Sequence, residues 1–348
     1  MDERKLYPMR FQPIAETVSW GGDALVKKYG KEELAAGIPV GESWELADMG
    51  FRDSTVANGW LAGNTIGEVM DMYLDRVSGE HAFAWYGRQF PLLLKFLDIR
   101  GRTPLLAHPG DEIASQRYDA LGKTKLWYVM EAGKGAHILR GFREEVSAAQ
   151  LWEACEKGTV EGLLNEITPK QGDWFTFRPG QVHGATGHLV LAEVAESSDL
   201  DFKLYNWGRP TENDGSEPLT LETALDFLDL GACAGAADGN ALDDKRVQLE
   251  LAKEEAFTVS RLLLDDVLRI DAAPYDSFAV YQCVHGEAAV QYAEKEGDSP
   301  KNVILHTGET VLVPAEVPEY YLVPRAKGTV LLESRTEARE EKDSYTEA

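Results

Sequence analysis

Two histidines stand where short apolar runs end. His108 lies between the apolar "LLA" and the polar "PGDE", and His183 follows "DWFTFRPGQV" in a Gly-containing turn. Imidazoles carried by different strands of one barrel can meet in its interior and bind a borderline metal such as zinc, usually with three or four protein ligands. His108 and His183 are therefore candidate metal ligands. The alternative, that each is an ordinary surface or core histidine, stays open.

Two further charged residues interrupt apolar runs. Lys95 is the single charge inside "FPLLLKFL", and a lysine is rarely buried without a partner. Glu193 lies in "LAEVAE", where strand alternation would place it on one face with Leu191 and Ala195. A carboxylate that points into a barrel can act as a metal ligand or as a general base. Lys95 could instead extend its ammonium to solvent, and Glu193 could pair structurally with an arginine.

Short β-type runs separated by turns dominate the chain. The runs "FPLLLKFLDI", "KLWYVMEA", "AHILRGF", "DWFTFRP" and "HLVLAEVAE" each predict a strand, and the second and third are joined by a Gly-containing turn. Helices are fewer. Possible capping boxes at Thr65–Glu68 and Ser147–Gln150 predict two helix starts, and a third helix is predicted over 219–230.

A weak internal sequence repeat suggests two similar structural units. "QGDWFTFRPGQVH" and "TGETVLVPAEVP" each contain a Gly, an acid, a short β run and then Pro. His183 stands four residues after Pro179, and Pro318 stands four residues after Pro314. This pattern is typical of small cupin-type barrels, and only the first unit has a potential ligand at the equivalent position. Chance similarity between two β segments is the alternative.

The fold class predicted is mainly β, with two cupin-like (jelly-roll) β-barrels and a few inserted helices. We expect a first barrel with helical insertions over 1–230, which carries the site, and a linker over 231–245. A second β domain then occupies 246–335, and a flexible charged tail 336–348.

The composition disfavours some classes of binding partner. The 348 residues carry a formal net charge of −24, which disfavours nucleic acid and anionic membrane as partners. No apolar run approaches membrane-spanning length, and "MDERKLYPMRFQPI" has no signal-peptide core. Three cysteines without a C-x-x-C pair are typical of reduced thiols in the cytoplasm. The oligomeric state is not indicated.

The chain resembles the short bacterial form of class I mannose-6-phosphate isomerase, a zinc enzyme of the cupin fold. The resemblance covers roughly Tyr7 to Glu333. It rests on the order and spacing of the segments "SWGG", "GESWELAD", "VANG", "FPLLLKFLD", "AHPGDE", "LGKTKLWYV", "RPGQVHG", "LAEVAESSD" and "LYNWGRP".

The resemblance implies a reaction and a set of roles. It implies that mannose 6-phosphate and fructose 6-phosphate are interconverted through an enediolate, with a small sugar phosphate as the partner and zinc as the cofactor. His108 and His183 match the family's histidine ligands. Lys95 and Lys123 match lysines at the substrate, and we add Glu193 as a third candidate substrate contact.

At three positions, this sequence departs from the residue that the family has. Leu106 stands where the family often has a glutamine that can contribute to the metal site. Lys125, in "GKTK", stands where the family has a glutamate ligand. Lys203, in "DFKLYNW", stands where the family has an arginine credited with a catalytic role. Lys125 and Lys203 are therefore the candidate catalytic residues.

Three interpretations of these departures stay open. Other carboxylates, such as Glu112, Glu193 or Glu196, could rebuild the metal site. The site could instead be metal-free, with the Lys125 ammonium supplying the positive charge, although Lys125 could also point from a strand end to solvent. The protein could also bind a sugar phosphate without turning it over.

Overall fold

The computed structural model describes residues 4–31, 39–208, 220–294 and 297–337. These residues are mainly β, and their larger sheets form two barrels, each built from two facing antiparallel sheets. The strands up to residue 240 are β1 Phe11–Gln12, β2 Ile14–Glu16, β3 Glu42–Leu46, β4 Thr55–Val56, β5 Leu92–Ile99, β6 Leu105–Ala107, β7 Lys125–Ala132, β8 His137–Phe142, β9 Leu164–Ile167, β10 Asp173–Phe177, β11 His183–Thr186, β12 Leu189–Glu196, β13 Phe202–Tyr205 and β14 Gly239–Asn240. Of these, β1 and β4 form a separate two-stranded sheet, and the others form the first barrel.

The second barrel follows along the chain. Its strands are β15 Gln248–Lys253, β16 Thr258–Leu264, β17 Leu268–Asp271, β18 Ala279–His285, β19 Glu287–Tyr292, β20 Lys301–His306, β21 Thr310–Val313, β22 Glu319–Pro324 and β23 Thr329–Arg335. They form sheets of order β15-β16-β23-β18-β21 and β17-β22-β19-β20. The fold class predicted from the sequence is confirmed.

Helices connect the strands of the first barrel. They are α1 Ala24–Lys27, α2 Ile66–Tyr73, α3 Asp75–Ser78, α4 Glu80–Tyr86, α5 Asp111–Tyr118, α6 Ala148–Lys157 and α7 Leu221–Ala224, with 3₁₀ turns at Gly59–Leu61 and Val160–Leu163. A further 3₁₀ turn, Ala273–Tyr275, lies between β17 and β18 of the second barrel. Both predicted capping boxes are present, at the starts of α2 and α6. Within the described ranges, no helix is long and apolar enough to cross a membrane.

The first barrel places its two sheets face to face. One has the order β14-β10-β7-β12-β5-β3-β2 and the other β13-β6-β11-β8-β9. Every residue of β5 and β12 is buried, because the seven-stranded sheet is covered on both faces. One face contributes Leu97 and Leu191 to the barrel interior, and the other packs Phe96 and Val194 in a cluster shared with the second barrel.

The internal sequence repeat corresponds to a repeat in the structure. In the first barrel, β10 leaves the seven-stranded sheet and the chain crosses to β11 in the facing sheet. In the second barrel, β21 and β22 make the same crossing between facing sheets. His183 is the first residue of β11, whereas Pro318 immediately precedes β22. The repeat therefore leaves an imidazole at this crossing only in the first barrel.

Some local predictions differ from the structure. The two strands joined by a Gly-containing turn are present as β7 and β8, but they lie in facing sheets and do not pair with each other. The predicted helix over 219–230 is reduced to Leu221–Ala224, and residue 219 lies outside the described ranges. Part of the predicted linker forms β14, which pairs with β10. In the predicted tail, Thr336 is buried, and 338–348 lie outside the described residues.

One buried amide joins the two barrels. Gln282, on β18, is 0% exposed and donates from Nε2 to the backbone oxygen of Lys95, at 3.1 Å. Lys95 lies opposite a β-bulge in β3, where the register shifts between Trp44 and Leu46. The second barrel therefore satisfies a backbone carbonyl of the strand that carries Lys95.

A Gln282→Leu substitution should weaken the fold. The Lys95 carbonyl would stay buried without this donor, so we expect the free energy of unfolding to fall by about 1–3 kcal/mol. Urea titration measures this change. Gln291→Leu is the matched control, since its amide bonds Asn302 at an exposed position and its loss should change stability by less than about 0.5 kcal/mol. Equal stabilities for the two variants would contradict the role of Gln282.

Candidate active site

A row of polar side chains crosses the seven-stranded sheet. Lys95 on β5 pairs in register with Trp44 on one side and Glu193 on the other, and Glu193 pairs with Trp127. Directly paired residues point to the same face. Lys95 Nζ lies 2.9 Å from a carboxylate oxygen of Glu42 and 3.8 Å from one of Glu193. Trp127 Nε1 donates to the other Glu193 oxygen at 2.5 Å.

Lys125 belongs to the same face. It is the first residue of β7, and alternation places it with Trp127, two residues further on. Its ammonium lies 3.6 Å from Glu193 Oε2, and the residue is only 3% exposed. The alternative prediction, that Lys125 points to solvent, is therefore wrong. Lys125 and Lys95 instead lie on either side of one buried carboxylate.

A second row crosses the facing sheet. His183 on β11 pairs with Leu106 on β6, and Leu106 pairs with Lys203 on β13. The register therefore places these three residues on one face. Phe177 of the seven-stranded sheet stacks on the His183 ring with centroids 4.6 Å apart. This contact joins the two rows across the barrel interior.

His108 lies in contact with His183. It follows β6, and its Nε2 lies 3.2 Å from Nε2 of His183, although the two residues are 75 positions apart. His108 Nδ1 lies 3.1 Å from the Leu200 carbonyl oxygen and 3.1 Å from Asp201 Oδ1. Asp201 also accepts from Lys123 Nζ at 2.7 Å. Asp201 could not be identified from the sequence, because its contact with His108 depends on the pairing of β6 with β13.

The charged groups in this cluster shift one another's pKa values. Burial alone would raise the pKa of Glu193, but the ammonium groups of Lys125, Lys95 and Lys123 lower it to about 2. Burial would lower the pKa of Lys95, but Glu42 and Glu193 raise it above its usual range. Glu193 is therefore an anion and Lys95 a cation at neutral pH.

The same surroundings act on the imidazoles and on Lys125. Burial, then the charge of Lys125, lowers the pKa of His108 to about 4 and that of His183 well below its usual value. Burial also lowers the pKa of Lys125, while Glu193 and Asp201 oppose this shift. Both histidines are therefore neutral at physiological pH.

The side chains fit only part of a zinc site. Each histidine has its Nδ1 fixed by an oxygen acceptor, as is usual for metal-ligating histidines. No third ligand joins them: among the described residues, no group of three or more His, Cys, Asp or Glu could hold a metal ion. Lys125 occupies the strand position where the resemblance implied a glutamate. The expected zinc does not fit this donor set.

The carboxylates suggested as replacement ligands are engaged elsewhere. Glu112 lies at an exposed position on α5. Glu193 is held by Trp127 and the lysines, and Glu196 accepts a hydrogen bond from the backbone of Thr124 at 2.7 Å. The prediction that one of them rebuilds the metal site is therefore not supported by the described residues.

Comparison with known proteins shows that this chain is similar to mannose-6-phosphate isomerases. The chain is 28% identical over 301 residues to the mannose-6-phosphate isomerase of Streptococcus mutans, covering 84% of this chain and 90% of that protein. It is 29% identical over 228 residues to a Bacillus subtilis mannose-6-phosphate isomerase, covering 64% and 68% of the two chains. The chain is a homologue of the mannose-6-phosphate isomerases. No family model matches it.

Solved isomerase structures share the fold. The B. subtilis mannose 6-phosphate isomerase superposes with a TM-score of 0.77 at 24% identity, covering 94% of this chain and 99% of that one. A mutant of the Salmonella typhimurium phosphomannose isomerase gives 0.73 at 15% identity, covering 95% and 100%. The two-barrel fold is thus shared with these isomerases over nearly its whole length.

The three residues that depart from the family pattern lie in the same region of the barrel. Leu106 and Lys203 are register partners in one row, and Lys125 lies in the facing sheet beside Glu193. In this homologue of the mannose-6-phosphate isomerases, all three therefore line the interior around the two imidazoles. Lys203 is half-buried, and within the described ranges no side chain pairs with its ammonium.

An acidic cleft opens beside the site. It has a volume of about 700 Å³ and reaches Leu121 and Ser198, which precede Lys123 and Asp201. Its walls carry an excess of carboxylates, which would repel a phosphate group. The ionisable residues of this cleft are Asp48, Asp53, Glu68, Asp71, Arg88, Tyr118, Asp119 and Asp199.

Proposed function

We propose that the chain interconverts the aldose and ketose forms of a hexose phosphate, mannose 6-phosphate and fructose 6-phosphate. The observation that carries the proposal is the convergence of three buried lysines and two carboxylates on a histidine pair, inside a barrel homologous to mannose-6-phosphate isomerases. The named relatives are isomerases and do not favour the alternative, a sugar-phosphate binder without turnover.

The reaction requires positive charge close to carbon-bound oxygen. A proton is removed from C2 and a proton, exchangeable with solvent, is added at C1, while another moves between the two oxygens, so nothing else is consumed. Negative charge develops on oxygen in the enediolate between these steps. Fixed cations in a water-poor interior stabilise such charge strongly, because the medium screens them little. Lys95, Lys123 and Lys125 are at most 4% exposed and meet this requirement.

The phosphate group needs a more accessible cation. Lys95 and Lys123 are each held by carboxylates, at 2.9 and 2.7 Å. Lys203 lies at the end of the row that includes His183 and is only half-buried. We therefore assign the phosphate or a sugar oxygen to Lys203, with Lys95 and Lys123 contacting the rest of the sugar. The cytoplasm, where sugar phosphates are abundant, is the proposed location.

The direct test measures product formation and proton exchange during the reaction. Purified protein is mixed with mannose 6-phosphate in D₂O, and fructose 6-phosphate formation and deuterium at C1 and C2 are followed by NMR. We expect ketose to form and solvent deuterium to appear at these carbons. Unphosphorylated mannose is the control and should not react at a comparable rate. Saturable binding of mannose 6-phosphate without product would instead support the sugar-phosphate binder.

Loss of the Lys203 charge should lower substrate use. A Lys203→Met variant removes a charge-assisted hydrogen bond, so kcat/KM for mannose 6-phosphate is expected to fall about 10- to 100-fold. Steady-state kinetics measure this ratio. Lys157→Met, on the exposed face of α6, removes the same charge away from the barrel interior and should leave kcat/KM unchanged. An unchanged kcat/KM for Lys203→Met would contradict the assignment.

A further inference from the structure

The hydrogen bonds of the two histidines indicate which ring nitrogens donate and which accept. Carbonyl and carboxylate oxygens only accept, so Nδ1 of His108 donates to Leu200 or Asp201 and Nδ1 of His183 donates to Gln181. In a neutral imidazole, the other nitrogen is then an acceptor. Both Nε2 atoms therefore present lone pairs, yet they lie 3.2 Å apart. A cation or a hydrogen donor beside them would stabilise this arrangement.

A bound metal is one way to meet this need, but the donor set does not provide for it. Catalytic zinc sites have three protein ligands, and the described residues supply two imidazoles here. The strand position that could supply a third carries Lys125. A protonated lysine has three hydrogen donors and no acceptor, so it repels a metal ion and cannot ligate one.

Lys125 is placed to supply the missing donor. In the β7–β10 ladder it pairs directly with Phe177, and the Phe177 ring stacks on His183. Its ammonium is 5.2 Å from the centroid of the Trp127 ring, which also contacts His183 edge to face at 5.7 Å. Glu193, 3.6 Å away, provides the counter-charge that keeps a buried ammonium stable.

We propose that the Lys125 ammonium takes the place of the metal ion in this site, so that the protein functions without bound zinc. For catalysis, this inference rests on the proposed isomerase function. The Lys125 ammonium acts on the histidine pair through its charge, and it donates a hydrogen bond to the sugar oxygen on which negative charge develops. It emerges from each turnover unchanged, because the proton that moves between the carbons does not come from it.

Zinc retention tests the proposal without depending on activity. Wild type, Lys125→Glu and Lys125→Gln are incubated with zinc, dialysed against a weak chelator and analysed for metal. We expect less than about 0.1 zinc per chain for wild type and Lys125→Gln, but about one for Lys125→Glu, because a carboxylate completes the three-ligand set. Adding His183→Ala to Lys125→Glu should abolish that retention.

Other outcomes are equally decisive. About one zinc per wild-type chain, lost in His183→Ala, would overturn the proposal. Zinc that His183→Ala does not remove would be bound elsewhere and would leave wild type with no metal in this site, as expected. If Lys125→Glu does not fold, the wild-type and His183→Ala measurements still decide.

Activity then separates this inference from the proposed function. Isomerisation that survives strong chelation supports both. Isomerisation that chelation abolishes and zinc restores overturns the metal-free site while upholding the isomerase. Absence of isomerisation with and without zinc overturns the proposed function, whereas the zinc stoichiometry still decides whether Lys125 has replaced the metal.

Discussion

A Glu193→Leu variant is expected to lose about 3–5 kcal/mol of its free energy of unfolding, because the substitution leaves a buried ammonium uncompensated. Lys95 keeps Glu42 as a partner, but the closest carboxylate to Lys125 is Glu193. The change also removes the acceptor of Trp127 Nε1. Urea or thermal unfolding of the purified variants measures the loss.

A double-mutant cycle identifies the cause. Adding Lys125→Met to Glu193→Leu removes the unpaired charge, so the double variant should recover at least about 2 kcal/mol relative to Glu193→Leu alone. Glu153→Gln is the matched control. Its ion pair with Lys157 is 61% and 63% exposed, and its loss should cost less than about 1 kcal/mol. Additive effects of the two core substitutions would show that Lys125 and Glu193 do not interact.

Several site residues could be predicted because their identity departs from local pattern. Lys95 is the single charge in the run "FPLLLKFL", and it is indeed buried, in β5, an interior strand of the seven-stranded sheet. The alternation of β12 predicted that Glu193 points into a barrel, and it does. His108 and His183 were expected to meet, and their Nε2 atoms are 3.2 Å apart. The predictions for Lys95 and Glu193 required only the period of a strand and the cost of burying charge, and the prediction for the two histidines also required the barrel fold.

The remaining contacts depend on which strands are neighbours. The pair Lys123–Asp201 joins residues 78 positions apart. Local alternation fixes the face of a side chain relative to its own strand but not the strand that lies opposite. For the same reason the separation of β7 and β8 into facing sheets, and the burial of Lys125, could not be read from the sequence. The roles of these residues in catalysis stay predictions.

The acidic cleft beside the site provides a second large effect, in the opposite direction. Burial, reinforced by Asp53 and Asp71, raises the pKa of Asp48 to about 6, although the Phe90 N–H that Asp48 accepts opposes this shift. A carboxyl whose pKa is higher in the folded state destabilises the fold as pH rises from its unfolded pKa to its folded pKa. For Asp48 this window runs from 3.8 to about 6.

An Asp48→Asn variant should therefore be more stable than wild type at pH 8, by about 2–3 kcal/mol, and the gain should disappear towards pH 4. The asparagine carbonyl can still accept from Phe90, so the hydrogen bond is kept while the penalty for a buried charge is removed. Urea unfolding of both proteins between pH 4 and pH 8 measures the difference. Asp71→Asn, at an exposed position of the same cleft, should change stability far less. A gain that does not vary with pH would mean that Asp48 titrates alike in the folded and unfolded chains. A loss at pH 8 would mean that its ionised carboxylate supports the fold.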